Sequence, residues 1–392
     1  MRRKGLKCQN LIERKAVSDL PHINKQMASF FLTTRCNLRC IYCYNREERA
    51  QKTIQSLPLE IAKAGVDYYF GHSSSRHIRF YGPGEPTQAF PLMKSIVEYA
   101  YELAGDALST ELQTNGCFNR AVRTWLLDHL NIIWISFDGE PEIQNYNRPC
   151  ANGAPSAPII EDNVKWLIEN KGERDLMVGA RVTVTNANIH RQREIISYFR
   201  DLGIKYVWCD PLFPAVDEIP VCDDPEKMKR YDFDLDLYAD TYLDAYNYAK
   251  SIGIFYGSFL TCNFDGVCNR HCRACIPAPH FTTDGYISAC DLVTYGKSPK
   301  HMDCFVYGKW NDKTKQFDID ESKVCALQNR TTENMPHCMH CEVRNHCGGY
   351  CLGEVQNETG RLTGQKPNTC RAIRKIAKSI GFVEEQYPYL HP

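Results

Sequence analysis

The sequence predicts an α/β fold whose core is a parallel sheet. Short runs rich in β-branched and aromatic residues, such as His77–Tyr81 and Ile132–Phe137, alternate with amphipathic stretches such as Phe90–Ala104 and Arg120–His129. Strands and helices that alternate in this way form βαβ units, in which successive strands lie parallel. Six such units fall within residues 27–255. We expect the functional side chains to lie at the carboxyl ends of these strands.

The predicted elements divide the chain into three parts. Residues 1–26 are an N-terminal extension, residues 27–255 form the β/α domain, and residues 256–392 form a smaller cysteine-rich domain. The predicted strands are Met27–Thr33, His77–Tyr81, Ser109–Gln113, Ile132–Phe137, Val178–Thr185 and Lys205–Cys209. The helical stretches are Pro58–Phe70, Phe90–Ala104, Arg120–His129, Glu161–Glu169 and Arg191–Leu202, with a further acidic helix at Tyr231–Ile252.

The composition excludes several functional classes. The chain has 392 residues, of which 47 are Lys or Arg and 47 are Asp or Glu, so its net charge favours neither nucleic acid nor an anionic membrane. No apolar run approaches the length of a membrane span, and no signal peptide is recognisable. We therefore expect a cytoplasmic protein without nucleic-acid or membrane partners, whose 20 cysteines stay reduced.

A triplet of cysteines directly after the first predicted strand is the most informative motif. Cys36, Cys40 and Cys43 have the spacing Cys-x3-Cys-x2-Cys, and Tyr42 precedes the third cysteine. Three thiolates can bind three irons of a cubane cluster and leave the fourth iron open, whereas ordinary cluster sites supply four cysteines. An open metal position is typical of catalytic sites. The alternative is a zinc knuckle, which would need a fourth ligand nearby.

The triplet resembles the signature of the radical S-adenosylmethionine (radical SAM) superfamily. This resemblance implies a partial (β/α)6 barrel similar to a TIM barrel, an open [4Fe–4S] cluster and S-adenosylmethionine (SAM) as cofactors. In such enzymes SAM is cleaved reductively to a 5′-deoxyadenosyl radical, which removes a hydrogen atom from the substrate. A reductant such as flavodoxin or ferredoxin would supply the electron.

Polar segments after the later strands resemble the SAM-binding motifs of the same family. Gly82-Pro-Gly-Glu-Pro-Thr87 implies that Gly84 and Glu85 hold the methionine amino group, because glycine permits close approach and a carboxylate complements an ammonium. The later segments imply further SAM contacts from Gln113, Asn115, Ser136 and Arg181. Ordinary turns, or a structural arginine inside the barrel, are the alternatives, and we interpret Asp138 as a turn residue.

A second set of cysteines resembles the SPASM domain, an auxiliary-cluster module of radical SAM enzymes. Its pattern is Cys275-x9-Gly285-x4-Cys290, then Cys338-x2-Cys341-x5-Cys347-x3-Cys351, then Cys370. Gly285 lies in a predicted hairpin turn between two strands that carry ligands. The alternative is a pair of zinc ribbons.

The SPASM resemblance implies two auxiliary [4Fe–4S] clusters, and therefore three clusters in total. The first would be held by Cys275, Cys290 and Cys351 together with an upstream cysteine, for which we favour Cys268 over Cys272 and Cys262. The second would be held by Cys338, Cys341, Cys347 and Cys370.

Asp291 directly follows Cys290 and is the candidate catalytic residue. A Cys-Asp pair in this place resembles anaerobic sulfatase-maturating enzymes, in which the aspartate is a general base during oxidation of the substrate. The alternative is an acid that caps a turn or pairs with an arginine or a lysine.

Together these resemblances imply a radical SAM/SPASM enzyme that oxidatively modifies side chains of a ribosomally synthesised peptide and forms a crosslink or thioether. Because few residues precede the first strand, we expect the peptide leader to bind the barrel directly or to be presented by a separate leader-binding protein. The alternatives are a sulfatase-maturating enzyme, a small-molecule enzyme acting on a tetrapyrrole or sugar, and an iron–sulfur electron carrier.

Overall fold

One continuous sheet forms the core of the protein. The computed structural model describes residues 27–43, 54–213, 233–383 and 387, and the predicted extension 1–26 lies outside these segments. Within them, eleven strands join in the order β11-β10-β9-β8-β1-β2-β3-β4-β5-β6-β7. They are β1 (Ala28–Phe31), β2 (His77–Tyr81), β3 (Ser109–Thr114), β4 (Ile132–Ser136), β5 (Met177–Val184), β6 (Tyr206–Pro211), β7 (Phe255–Gly257), β8 (His280–Phe281), β9 (Tyr286–Ser288), β10 (Val306–Asn311) and β11 (Gln316–Ile319).

The helices follow the strands along the chain. They are α1 (Leu59–His72), α2 (Phe90–Ala104), α3 (Arg120–His129), α4 (Pro141–Asn147), α5 (Ala157–Asn170), α6 (Gln192–Asp201), α7 (Leu235–Ser251), α8 (Glu321–Gln328), α9 (Arg344–Cys347), α10 (Leu352–Thr359) and α11 (Pro367–Ile380). Buried apolar residues on α1, α2, α3, α5 and α6 belong to the same core cluster as the strands. Strands covered in this way are rich in apolar residues, as in β1 and β4, which made them recognisable in the sequence.

The predicted α/β fold is confirmed, because β1 to β7 are all parallel to their neighbours. The six predicted strands lie within two residues of the observed ones, and α2 and α3 have the predicted bounds. The sequence analysis missed α4 and β7. Both are shorter than the window in which hydrophobic periodicity becomes recognisable.

The C-terminal half is joined to the barrel through β8. This strand pairs in parallel with β1, with Ser29 opposite His280 and Phe30 opposite Phe281. The Phe281 ring is fully buried and stacks on Phe30 with 5.0 Å between the ring centroids. The antiparallel pair β8–β9 turns at Gly285, which has a φ of 81° that favours glycine. The chain segment after β9 is therefore fixed beside β1 and β2.

The composition led to expectations about membrane spans and about the redox state of the thiols. Within the described segments, no helix is both long and apolar enough to cross a membrane. The expectation that the thiols are all reduced is wrong for Cys325 in α8, which is disulfide-bonded. The other described cysteines are free.

The variant Phe281→Ala should lower the free energy of unfolding by about 3–5 kcal/mol, because a buried aromatic ring leaves a cavity at the β1–β8 junction. Urea denaturation under anaerobic conditions measures the change. Leu103→Ala in α2 is the control, since Leu103 is 50% exposed and should cost less than about 1 kcal/mol. Equal losses in the two variants would contradict tight packing at this junction.

Candidate active site

A cavity of about 280 Å³ lies at the carboxyl ends of the parallel strands. Cys36, Cys40 and Cys43 line it from the loop after β1, and Cys272, Cys290 and Cys351 line it from the C-terminal half. The remaining predicted site residues at this cavity are Gly84, Glu85, Gln113, Asn115, Ser136, Arg181 and Asp291. The structure therefore brings residues from both predicted domains to one cavity.

The turn after β2 holds the cysteine loop through backbone contact. A Cβ atom on Gly84 would lie 2.4 Å from the carbonyl oxygens of Thr33 and Arg35, so only glycine fits there. The neighbouring Glu85 backbone N–H donates to the Arg35 carbonyl at 2.8 Å. The sequence predicts that Gly84 lies close to a ligand. In the structure, Gly84 lies against the backbone of the cysteine loop.

Glu85 is buried, and its carboxylate accepts hydrogen bonds from several groups of the chain. Its Oε1 accepts from the Thr87 hydroxyl at 2.7 Å and the Thr114 hydroxyl at 2.6 Å, and its Oε2 accepts from the Asn115 backbone N–H at 2.7 Å. Burial raises the pKa of Glu85, although these hydrogen bonds oppose the shift. Glu85 therefore ties the β2 turn to the end of β3, and its contact with the SAM amino group remains a prediction.

The other predicted SAM contacts also have partners within the chain. The Asn115 amide donates to the Asn37 side-chain oxygen at 2.7 Å, which connects β3 to the cysteine loop. Arg181 donates to Gln113 at 3.2 Å and forms an ion pair with Asp210 at 3.2 Å. Contacts of these residues, and of Ser136 at the end of β4, with SAM remain predictions.

The sequence analysis missed a polar cluster that orients Tyr42. The Tyr42 hydroxyl donates to the Asp138 carboxylate at 2.5 Å and accepts from Arg148 at 2.7 Å. Asp138 is fully buried and also accepts from the Thr183 backbone N–H, so it is more than a turn residue. Burial raises the pKa of Tyr42 well above its usual value, which keeps the phenol neutral. Only the fold brings together charges that lie far apart in sequence, so no sequence pattern signalled this cluster.

The proline-rich segment around residue 150 braces the cysteine loop. The Arg39 backbone N–H donates to the Pro149 carbonyl at 2.8 Å, and the Ala151 N–H donates to the Asn37 carbonyl at 2.8 Å. The segment has no sequence pattern of a strand or a helix. It pairs with a loop rather than with a strand, so hydrophobic alternation gave no signal.

The C-terminal thiols gather into two groups. The first contains Cys272, Cys275, Cys290 and Cys351. A hydrogen bond with Cys275 and burial raise the pKa of Cys272, and the neighbouring thiols of Cys351 and Cys290 raise it further. Cys272 rather than the favoured Cys268 lies with these three thiols, and the identity of the fourth ligand remains a prediction. Among the neighbouring thiols, Cys347 of the other group has the largest effect on the pKa of Cys268.

The second group agrees with the sequence pattern and contains Cys338, Cys341, Cys347 and Cys370. Burial raises the pKa of Cys347 to about 12, and Cys370 and Cys338 contribute. Burial is the main cause that raises the pKa of Cys338, and Cys341 raises it further. Among the described residues, no three His, Cys, Asp or Glu side chains have the spacing of a single-ion site. The role of these thiols as cluster ligands remains a prediction.

Asp291 faces the cavity as part of an ion-pair network. It forms an ion pair with Arg79 of β2, and its Oδ1 lies 2.8 Å from His280 Nε2 of β8. Although burial alone would raise its pKa, Arg79 and His280 hold the pKa of Asp291 well below its usual range. Its side chain remains 36% exposed to the cavity. The sequence left two interpretations of Asp291, a catalytic base and a partner of an arginine or lysine. The ion pair with Arg79 agrees with the second.

Comparison with known proteins identifies the domain around this cavity. Residues 30–208 match the model of the radical SAM superfamily. The chain carries a radical SAM domain. The prediction of a radical SAM domain is thereby confirmed, and so is the predicted type of fold.

The chain is also similar to a curated sulfatase-maturating enzyme. It is 24% identical over 240 residues to a cysteine-type anaerobic sulfatase-maturating enzyme of Clostridium novyi, a match that covers 59% of this chain and 60% of that enzyme. The chain spans 60–63% of the length of the first curated relatives that it matches.

Two solved structures share the fold. The structure of anSMEcpe with bound AdoMet has a TM-score of 0.68 at 16% identity, over 90% of this chain and 96% of that one. The structure of Streptococcus suis SuiB bound to its precursor peptide SuiA has a TM-score of 0.61 at 14% identity, over 91% of this chain and 79% of that one. At these identities the likeness concerns the fold alone.

The variant Gly84→Ala should lose most of the cluster bound by Cys36, Cys40 and Cys43, because the new methyl group would displace the backbone of the cysteine loop. Iron analysis after anaerobic reconstitution measures the loss. Gly71→Ala in α1 is the matched control, since a Cβ there meets no atom within 4 Å and the helix should gain about 0.5–1 kcal/mol. A full iron content in Gly84→Ala would contradict the close contact.

Proposed function

We propose that this protein is a radical SAM/SPASM enzyme that oxidatively modifies side chains of a ribosomally synthesised peptide, forming a crosslink or a thioether. The observation that carries the proposal is the shared cavity, which is lined by the N-terminal cysteine triplet and by thiols of the first C-terminal group. A substrate in this cavity would be within reach of both groups. An electron carrier has no need of a substrate cavity between its clusters.

The donor sets fit the cofactors that the family implies. Three thiols on one loop suit an open [4Fe–4S] cluster, and the two groups of four thiols suit closed auxiliary clusters. Cys36, Cys40 and Cys43 would hold the first cluster, with Glu85, Asn115 and Ser136 beside SAM. When bound, these cofactors supply one-electron chemistry that removes a hydrogen atom from an unactivated carbon.

The chain contributes positioning, electrostatics and exclusion of water. Glu85 and Asn115 hold the cysteine loop against the ends of β2 and β3, and Arg148 and Asp138 orient Tyr42 beside it. A net two-electron oxidation of the substrate releases one electron and one proton after the hydrogen atom has gone, and the auxiliary cluster that the first C-terminal thiol group would hold would supply the electron acceptor. Asp291 borders the cavity and is the carboxylate next to Cys290, so it is the candidate acceptor of that proton.

Support for a peptide substrate comes from the relatives. SuiB was solved with a precursor peptide, and sulfatase-maturating enzymes act on a protein. The test is anaerobic incubation of the reconstituted enzyme with SAM, a reductant and each short peptide that is encoded beside its gene. Mass spectrometry should detect a peptide lighter by two hydrogens. Formation of 5′-deoxyadenosine without any peptide product would refute the assignment of that substrate.

A sulfatase-maturating activity is the second candidate, and the Cys290-Asp291 pair favours it. The ion pair of Asp291 with Arg79 weakens Asp291 as the proton acceptor in either candidate, because a carboxylate held charged by an arginine and a histidine is a weak base. Proton transfer to Asp291 would require that substrate binding first weakens the pair with Arg79.

The triple variant Cys36→Ala/Cys40→Ala/Cys43→Ala should retain about two of three cubane clusters after reconstitution and form no 5′-deoxyadenosine. Iron and sulfide analysis measure the first effect, and chromatography measures the second. The single variant Cys209→Ala is the control, since Cys209 is buried in β6 and lies at neither group. Unchanged iron in the triple variant would rule out the cluster assignment.

The variant Asp291→Asn should destabilise the protein at neutral pH by about 1–3 kcal/mol, because it leaves Arg79 buried without its counter-ion; the partial exposure of Asp291 reduces the loss. Since the folded-state pKa of Asp291 is depressed, its contribution exists above the unfolded-state pKa and disappears as the pH falls. Urea denaturation at neutral and acidic pH should therefore show a difference from wild type that shrinks in acid.

The same variant separates the two roles of Asp291. If Asp291 accepts the substrate proton, Asp291→Asn still cleaves SAM but forms little product. Normal product formation together with the stability loss would assign Asp291 a purely structural role.

A further inference from the structure

One arginine of the cavity has no partner among the residues that the structure describes. Four arginines line it, namely Arg79, Arg148, Arg181 and Arg273. Arg79 pairs with Asp291, Arg148 lies 4.0 Å from Asp138, and Arg181 lies 3.2 Å from Asp210. The Arg273 side chain forms no hydrogen bond or ion pair with any residue in the described segments, although Arg273 is only 8% exposed. Buried charges in proteins are almost always paired, so this guanidinium requires an explanation.

The carboxylates near Arg273 are already engaged. Glu111 of β3 lies 3.1 Å from His77 Nε2, and Asp291 is shared by Arg79 and His280. Both carboxylates influence Arg273, but neither is within ion-pair distance of it. A guanidinium stays protonated in proteins and offers five donors in a planar fork. The Arg273 guanidinium therefore keeps unused hydrogen-bond donors at this wall of the cavity, although the charges of Glu111 and Asp291 act on it.

Arg273 lies next to Cys272, so its charge could instead balance a cluster held by the first C-terminal thiol group. Two other arginines already serve that purpose. Arg330 and Arg270 are the positive charges that act most strongly on Cys275. The Arg330 guanidinium is oriented by the Gly348 and Gly349 carbonyls at 2.9 and 2.5 Å. Cys272 is among the charges that act on Arg273, but Arg79, Glu111 and Asp291 act on it more strongly.

We propose that Arg273 binds a carboxylate of the substrate in the cavity that the cysteine triplet and Cys290 both line. The inference rests on the proposed function and narrows it to peptides with an acidic group at or near the modified residue. The carboxylate comes either from an aspartate or glutamate side chain or from the C-terminus of the peptide. Either would form a bidentate, charge-assisted pair with the free guanidinium.

The test measures binding rather than turnover, so it gives a result even if the proposed modification is wrong. Cluster-loaded enzyme saturated with SAM is titrated anaerobically with acetyl-Gly-Glu-Gly-amide, acetyl-Gly-Gln-Gly-amide and acetyl-Gly-Gln-Gly with a free carboxyl end. Saturation with SAM excludes its own carboxylate as the competing ligand. At least one of the two acidic peptides should bind about tenfold more tightly than the neutral amide, which corresponds to one buried ion pair. The tighter of the two identifies the source of the carboxylate.

Variants of Arg273 assign the preference to this residue. In Arg273→Gln the ratio between acidic and neutral peptides should fall to about one, and in Arg273→Lys it should be reduced but retained, because lysine keeps the charge and lacks the fork. Arg174→Gln is the matched control, since Arg174 is half-exposed and pairs with Asp128 away from the cavity. Iron content and the circular dichroism of each variant verify folding, and Arg273→Lys decides the question if Arg273→Gln does not fold.

Several results would overturn the inference. Equal binding of the three peptides to the wild type, or no binding at millimolar concentration, would mean that the cavity does not select a carboxylate. A preference that survives in Arg273→Gln would assign it to another residue. Weaker SAM binding in Arg273→Gln with an unchanged peptide ratio would mean that Arg273 contacts SAM. An altered cluster spectrum with an unchanged ratio would mean that it serves the cluster.

Discussion

The structure depends on the two edges of β1. One edge pairs with β2 and continues the parallel sheet, and the other pairs with β8 of the C-terminal half. The cysteine triplet follows β1 directly, while Cys290 and Asp291 follow the hairpin that β8 begins. Because strand pairing fixes register, these two segments cannot move apart without breaking the central sheet. A single short strand thereby determines that both sets of thiols meet at one cavity.

Around this cavity, polar side chains hold in place the loops that contain the candidate functional residues. Glu85 collects hydrogen bonds from the end of β3, and Asn115 extends the connection to Asn37 in the cysteine loop. The family resemblance assigns the same residues to SAM. The two roles are compatible, because residues that position the loop must lie at the strand ends, where the cofactor also binds. A substitution at such a position would affect loop geometry and cofactor binding together.

Charge pairing separates the arginines of the cavity into two kinds. Three of them neutralise buried carboxylates, and these pairs cost little as long as both members stay in place. The fourth, Arg273, lines the cavity and has no ion-pair partner among the described residues. The pairing of Arg79 with Asp291 also links two features of the site, because a substrate carboxylate at Arg273 would lie in the field of the same ion-pair network. Substrate binding and the basicity of Asp291 would then be coupled.

The sequence alone determined the repeating β/α order, the cysteine triplet and the second thiol group of the C-terminal half. Each of these is a local property, since periodicity and ligand spacing are written in neighbouring residues. Only the tertiary structure showed that Cys272 lies with Cys275, Cys290 and Cys351, that Asp291 pairs with Arg79, and that Arg273 has no partner among the described residues. These facts depend on distances between residues that are separated by up to about two hundred positions in the chain, as with Arg79 and Asp291. A buried charge is paired or unpaired only after the sheet has brought its neighbours into place.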